Sequence, residues 1–275
     1  MMRHRLIGAL LCVWMPLGSL PAPAATDLSG TWSVLYQEDW LEIGTGPEIA
    51  EYEGLPINES ARQRALAWNA SLITEPERQC AQLPLDYADF WTNMRIWQEV
   101  DPVTQQVTAI RSHREWGEED RIIYMDGRPH PSRHAAHTWQ GFSTGQWDGD
   151  KLIVTTTHLK EGYVRRNGVP RSDRATVIES FMRHGSNLTI GIVTSDPAYL
   201  TDLWIRSVDY VFTPEHVINP FPCESVAEQA DVPPGHVPHY FPWKNPFLRE
   251  HAQKVGIPLA TSMGGANQMY PSFIE

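Results

Sequence analysis

The sequence predicts a mainly β protein, an antiparallel up-and-down β-barrel with a short N-terminal helical insertion and a C-terminal strap. Three observations carry this. From Phe90 to Phe212, apolar and polar residues alternate with period two, which sets one face of each strand against a core. Turn-forming residues divide that stretch into short runs. Most runs follow one another through hairpin-length connections, and a meander of about eight strands exposes two edges unless it closes on itself or is covered.

The barrel domain is expected over residues 26–230, interrupted by a helical insertion at about 37–90 and followed by an extension over 231–275. Asp27 to Trp32, DLSGTW, enters the first strand and brings a Trp that can plug one end of the core. Asn58 can cap a helix over 59–72, where Ala61, Ala65, Trp68 and Leu72 recur at helical spacing. NMRIWQEV and VTAIRSHREW flank the turn-rich DPVTQQ, and RIIYM follows. GFSTGQW and KLIVTTTHL form a hairpin across Asp148-Gly149, because Asp-Gly supplies the positive φ that tight hairpins need. ATVIESFMR, HGSN and LTIGIVTS make another, and DLWIRSVDYVF places Trp204, Arg206, Val208, Tyr210 and Phe212 on one face. The tail contains Tyr240, Phe241, Trp243 and Phe247, too apolar to be free, and a short helix around Pro246 to Val255 that Gly256 can end. With no internal repeat and no low-complexity linker, one domain is expected.

Residues 1–25 read as a signal peptide, with Arg3 and Arg5, an apolar run from Leu6 to Leu17 and an Ala22-Pro23-Ala24 cleavage pattern. The apolar run is about half of the ~20 residues a spanning helix requires, and no transmembrane segment is expected after processing. Cys12 follows Leu11, whose bulk argues against a lipoprotein site, so lipid anchoring is only a minor alternative. Loss of the two arginines takes the net charge from −11 to −13. So acidic a chain without a basic run is a poor partner for nucleic acid or an anionic membrane. A periplasmic or secreted location is expected, and Cys80 and Cys223, the two cysteines left there, are expected to pair. The entropic ceiling for so long a loop is about 4 to 5 kcal/mol.

Two resemblances add to this reading. DLSGTW followed by a meander resembles the lipocalin or calycin class, in which a Gly-x-Trp opens a barrel that holds a small apolar ligand. Tyr124 to Pro131 (YMDGRPHP), Gly141 to Val154 (GFSTGQWDGDKLIV), Asp196 to Tyr199 (DPAY) and Cys223-Glu224 together resemble a family of exported bacterial proteins of no assigned activity. That similarity runs from about residue 27 to the C-terminus and includes both cysteines. It implies fold and compartment and no mechanism. The family often has His where this chain has Phe142, so a histidine role there does not transfer.

Three histidines in HPSRHAAHTW raise the question of chemistry. His130, His134 and His137 would share a helical face, but Pro129 and Pro131 disfavour a helix and no acid lies between the histidines, so no metal site is assigned. As acid and base groups they are better placed. Asp126 can orient an imidazole and Arg128 can bind a carboxylate or oxyanion, all on a loop between strands. The structural alternative is a turn at Asp126-Gly127 with solvated histidines. Ser143 has Gly-x-Ser-x-Gly spacing but precedes a hairpin rather than a helix, so it is rejected as a nucleophile. Trp97, Trp116, Tyr124, Trp139, Trp147 and Trp204 are candidates to line a ligand cavity, or else to fill the core.

The leading expectation is an exported protein that binds a small apolar or aromatic molecule inside the barrel. One alternative is a periplasmic lyase, isomerase or hydrolase that uses the Asp126, Arg128 and histidine cluster at the barrel mouth. Another is a structural envelope protein, whose barrel would be filled by side chains. Neither a cofactor nor an oligomeric state is legible in the sequence.

Overall fold

The computed structural model describes residues 26–36, 46–52, 54–88, 92–115, 117, 119–226 and 235–270. The signal sequence and Trp116 lie outside the described residues. Nine strands close into a barrel: β1 (Gly30–Leu35), β2 (Met94–Val100), β3 (Val107–Arg114), β4 (Glu119–Tyr124), β5 (Phe142–Asp148), β6 (Lys151–Thr157), β9 (Thr176–His184), β10 (Asn187–Ser195) and β11 (Trp204–Phe212). A small hairpin, β7 (Gly162–Tyr163) and β8 (Pro170–Arg171), leaves the wall between β6 and β9. Around the barrel the order is β1, β11, β10, β9, β6, β5, β4, β3, β2, and β1 pairs with β2 to close it.

The strand runs read from the alternation are the observed strands to within a residue or two. One pairing departs from the meander. β4 and β5 run parallel, with Ile123 opposite Ser143 and Tyr124 opposite Thr144, so residues 125–141 return along the barrel instead of turning tightly. Every other neighbouring pair in the wall is antiparallel. The hairpin at Asp148 is shifted by one residue from expectation. Asp148 pairs with Lys151, and Gly149, with φ +63°, takes the first central position of the turn, where a type II′ hairpin needs glycine. Gly185, with φ +62°, does the same between His184 and Asn187.

The inward face is a packed core. Trp32, Met94, Ile110, Leu152, Phe181 and Tyr210 belong to one cluster of buried side chains drawn from six strands. Trp32 closes one end: its indole N–H donates to Leu28 O at 2.9 Å, and the Arg183 guanidinium lies 5.2 Å from its ring. Gly30 must be glycine here, because its φ is +129° and a Cβ would sit 2.3 Å from the Phe212 ring.

Across the other end lies a helical layer with α1 (Glu59–Leu66), α2 (Pro76–Gln79) and α3 (Leu85–Ala88). Asn58 caps α1 by accepting from Ala61 N at 3.0 Å, as its residue type predicts. The helix stops at Leu66 rather than continuing to 72. Asn69 begins a new turn by accepting from Ser71 N, and the C-terminal strap takes up the freed carbonyls: Tyr240 N donates to Ala67 O and Asn245 Nδ2 to Leu66 O and Trp68 O. α4 (Glu250–Val255) ends at Gly256, φ +73°, and α5 (Leu259–Ser262) follows. The strap thus packs on the helical layer, where Leu248 and Met263 share a second core with Tyr52, Leu66, Tyr199 and Trp204. Cys80 and Cys223 are joined, 143 residues apart, tying the end of α2 to the segment that follows β11.

Candidate functional site

Two charged constellations lie on opposite sides of the same wall. Inside, Arg121 of β4 reaches over β5 and β6 to Glu179 of β9. Its Nη1 donates to Glu179 Oε1 at 2.8 Å and its Nη2 to Glu179 Oε2; Nη2 also donates to Thr156 Oγ1 at 2.8 Å and Nε to Ser143 Oγ at 3.2 Å. Both charged side chains are sealed, 2% and 0% exposed. This clamp spans the parallel β4–β5 seam, which is only two residue pairs long, and it accounts for Ser143 as a structural hydroxyl. It offers no access to a substrate.

Outside, the register of β1 to β4 builds a row. Thr31 lies opposite Arg95, Arg95 opposite His113, and His113 opposite Asp120. Four adjacent strands make the row about 14 Å wide at the usual strand spacing. Asp120 accepts from His113 Nδ1 at 2.9 Å. Trp97 stands two residues beyond Arg95 on the same strand face. The segment after β11 forms the facing wall: Thr213 N donates to Thr31 O, and His216 Nε2 sits 3.3 Å from Asn93 Nδ2 and 3.5 Å from Glu115 Oε2. Between them lies a cleft of about 760 Å³, lined by Thr31, Arg95, Trp97, His113, Asp120 and His216 among others. The disulfide at Cys223 holds the far end of the facing segment. Among the described residues, the Arg95 guanidinium has no ion-pair or hydrogen-bond partner.

A smaller cleft of about 370 Å³ lies between the end of α1, the β7–β8 hairpin and the strap. Trp68 and Tyr163 meet there at 5.2 Å, and Arg64 is already engaged by Glu161 at 2.5 Å.

His130, His134 and His137 sit elsewhere, on the 125–141 connection against the outer face of β5 and β6. Their proton pattern follows from the partners. His158 Nε2 lies 2.9 Å from Ser132 O and must donate to that carbonyl, so in the neutral ring Nδ1 accepts from Thr157 Oγ1 at 2.8 Å. Thr157 Oγ1 then accepts from His130 Nδ1 at 2.7 Å, and His130 Nε2 accepts from Thr144 Oγ1 at 2.9 Å. With both rings neutral, the donors run one way along this chain. Burial, and then the nearby His158 charge, hold the His130 pKa below its ordinary value. His137 Nδ1 meets Leu159 O at 2.9 Å, and His134 is exposed beside Arg133.

Asp126 pairs with Arg128 at 2.5 Å and not with an imidazole in the described contacts. The hydrogen bond from Arg128 keeps the Asp126 carboxyl below the usual range. Arg128 also stacks 3.8 Å from the Tyr124 ring, and Phe142 packs between Tyr124 and His130, at 5.2 and 5.3 Å. Among the described residues no group of three or more His, Cys, Asp or Glu is placed to hold a metal ion.

Of the six aromatic candidates, Trp116 lies outside the described residues and the other five divide. Trp97 lines the larger cleft. Trp147 packs against the barrel core and Trp204 is buried in the second core under Arg206, 3.8 Å away. Trp139 lies 5.2 Å from Lys160, and Tyr124 is on the outer face with Arg128. Sequence reasoning passed over Arg95, His113 and His216, and read Asp120 only as part of a solvated acidic run with Glu118 and Glu119. Nothing local marks them, since they meet only through strand register and a segment some hundred residues away. Arg121 and Glu179 did carry a signal: each occupies a core position of its strand, beside Ile123 and between Val177 and Phe181.

No known protein-family model matches the chain, and no curated protein matches it. Among the described residues no helix is long and apolar enough to cross a membrane.

Proposed function

We propose that this is an exported protein that binds a small aromatic or apolar molecule, and that the ligand sits in the outer cleft over β1 to β4. The observation that carries the reading is the cleft itself: about 760 Å³, within the size range of small-molecule sites, with the Trp97 ring beside polar groups that can fix orientation. The barrel interior, the first expectation for the seat, is occupied by the core. Export rests on the N-terminal pattern, on the Cys80–Cys223 pairing and on the motif resemblance. The pairing suits an oxidising compartment.

The test is a panel of aromatic compounds titrated against the mature protein, with tryptophan quenching as the readout. Saturable quenching that is lost in Trp97→Leu supports the cleft. Saturable quenching that survives Trp97→Leu moves the seat elsewhere. A panel without saturable binding favours the structural envelope reading, which the filled barrel supports.

A further inference from the structure

We infer that the ligand of the outer cleft carries one negative charge, a carboxylate or a group of like geometry, next to an aromatic body; this rests on the cleft being the ligand seat. Charge placement leads there. Each described carboxylate around the cleft has a partner of its own: Asp120 accepts from His113 at 2.9 Å, Glu115 from Asn93 at 2.7 Å, and Glu99 from Arg111 at 2.8 Å. Arg95 is the guanidinium left over. It lies in the middle of the row, between the nearly buried Thr31 and His113.

In a chain of net charge −11, an arginine in a cleft with no carboxylate partner among the described residues is a local exception to the field of the whole molecule. The guanidinium fork matches a carboxylate with two parallel N–H···O bonds, and Thr31 lines the cleft beside it. His113 stands between Arg95 and Asp120 in the row and engages the Asp120 carboxylate.

Geometry sets the rest of the ligand. Arg95 and Trp97 are two residues apart on one strand face, so their side chains leave the backbone about 7 Å apart. An anion on Arg95 therefore places the attached body against the Trp97 ring, with Val217 and Ile218 opposite. A fused bicyclic aromatic carboxylate spans that distance.

Naphthoate and its neutral analogue naphthamide test this by calorimetry. The expected result is roughly tenfold tighter binding of naphthoate to the wild-type protein, the size of one charge-assisted contact in a half-open site. Arg95→Ala abolishes the difference, Arg95→Lys restores part of it, and added salt weakens naphthoate more than naphthamide. Trp97→Leu weakens both. Equal affinities for the two compounds, or a preference for naphthoate that survives Arg95→Ala, overturn the anion inference and leave the cleft as a ligand seat. Absence of binding by either compound overturns both. Arg95 and Trp97 lie on the outer face, so these variants keep the fold intact.

Discussion

Arg121 of β4 and Arg95 of β2 flank β3 in one wall and differ in almost everything that decides what an arginine does. Arg121 faces inward, 2% exposed, with Glu179, Thr156 and Ser143 taking its protons. Arg95 faces outward into a cleft and, among the described residues, has no such partners. The first arginine is fully engaged by the fold and has nothing left for a ligand. The second adds little to the fold and keeps its donors available. The contrast separates stability from function on the two sides of the wall.

The comparison is broken most severely at the clamp. Glu179→Gln leaves the Arg121 charge sealed without its counter-ion, and a loss of about 3–5 kcal/mol is expected in denaturant unfolding. Replacing both residues by Met and Leu should recover most of that loss, since the buried pair itself is close to neutral against apolar packing. A single replacement that costs under about 1 kcal/mol would show that the pair is hydrated and the inner wall open.

Next in size is the disulfide. Replacing Cys80 and Cys223 together by Ser should remove about 2–4 kcal/mol. It should also weaken ligand binding in the outer cleft, because Cys223 anchors the cleft's facing segment. Unchanged affinity would show that His216 and the β1 contact hold that wall alone.

The histidine chain on the 125–141 connection gives a pH-dependent effect. The His130 pKa is lowered in the folded protein, so below its ordinary value of about 6.5 the unfolded chain takes up the proton first. Stability is therefore lost as pH falls from there toward the lower folded value, and the connection should loosen with it. Hydrogen-exchange protection factors of residues 125–141, corrected for the intrinsic pH dependence of exchange, should fall from pH 7 to pH 5, and His130→Gln should flatten the difference. Equal protection factors at the two pH values would show that His130 does not couple the connection to pH.

Smallest of all, Arg95→Ala should change stability by no more than about 0.5 kcal/mol, as expected for an exposed side chain without a partner. A larger loss would erase the distinction between the two arginines and mark Arg95 as part of the fold.

By itself the sequence determined the strands, several turns and the helix caps, but not how the strap packs: Phe241, Trp243 and Phe247, expected to be buried, are exposed, and Asn245, Leu248 and Met263 hold the strap instead. Alternation, an Asn before a helix and a Gly at a tight turn act within a few residues of one another, so they are legible without knowing what packs where. The pairing of Cys80 with Cys223 followed from their number and compartment. Only the tertiary structure decided that β4 and β5 run parallel, that α1 stops at Leu66 because Asn245 and Tyr240 meet its last carbonyls, and that the barrel is a core. The sequence placed the interest at His130, where the histidines are dense. The structure places it at Arg95, because a cleft is made by the register of four strands and a distant segment, and register is a property of pairs of strands that no single run of residues contains.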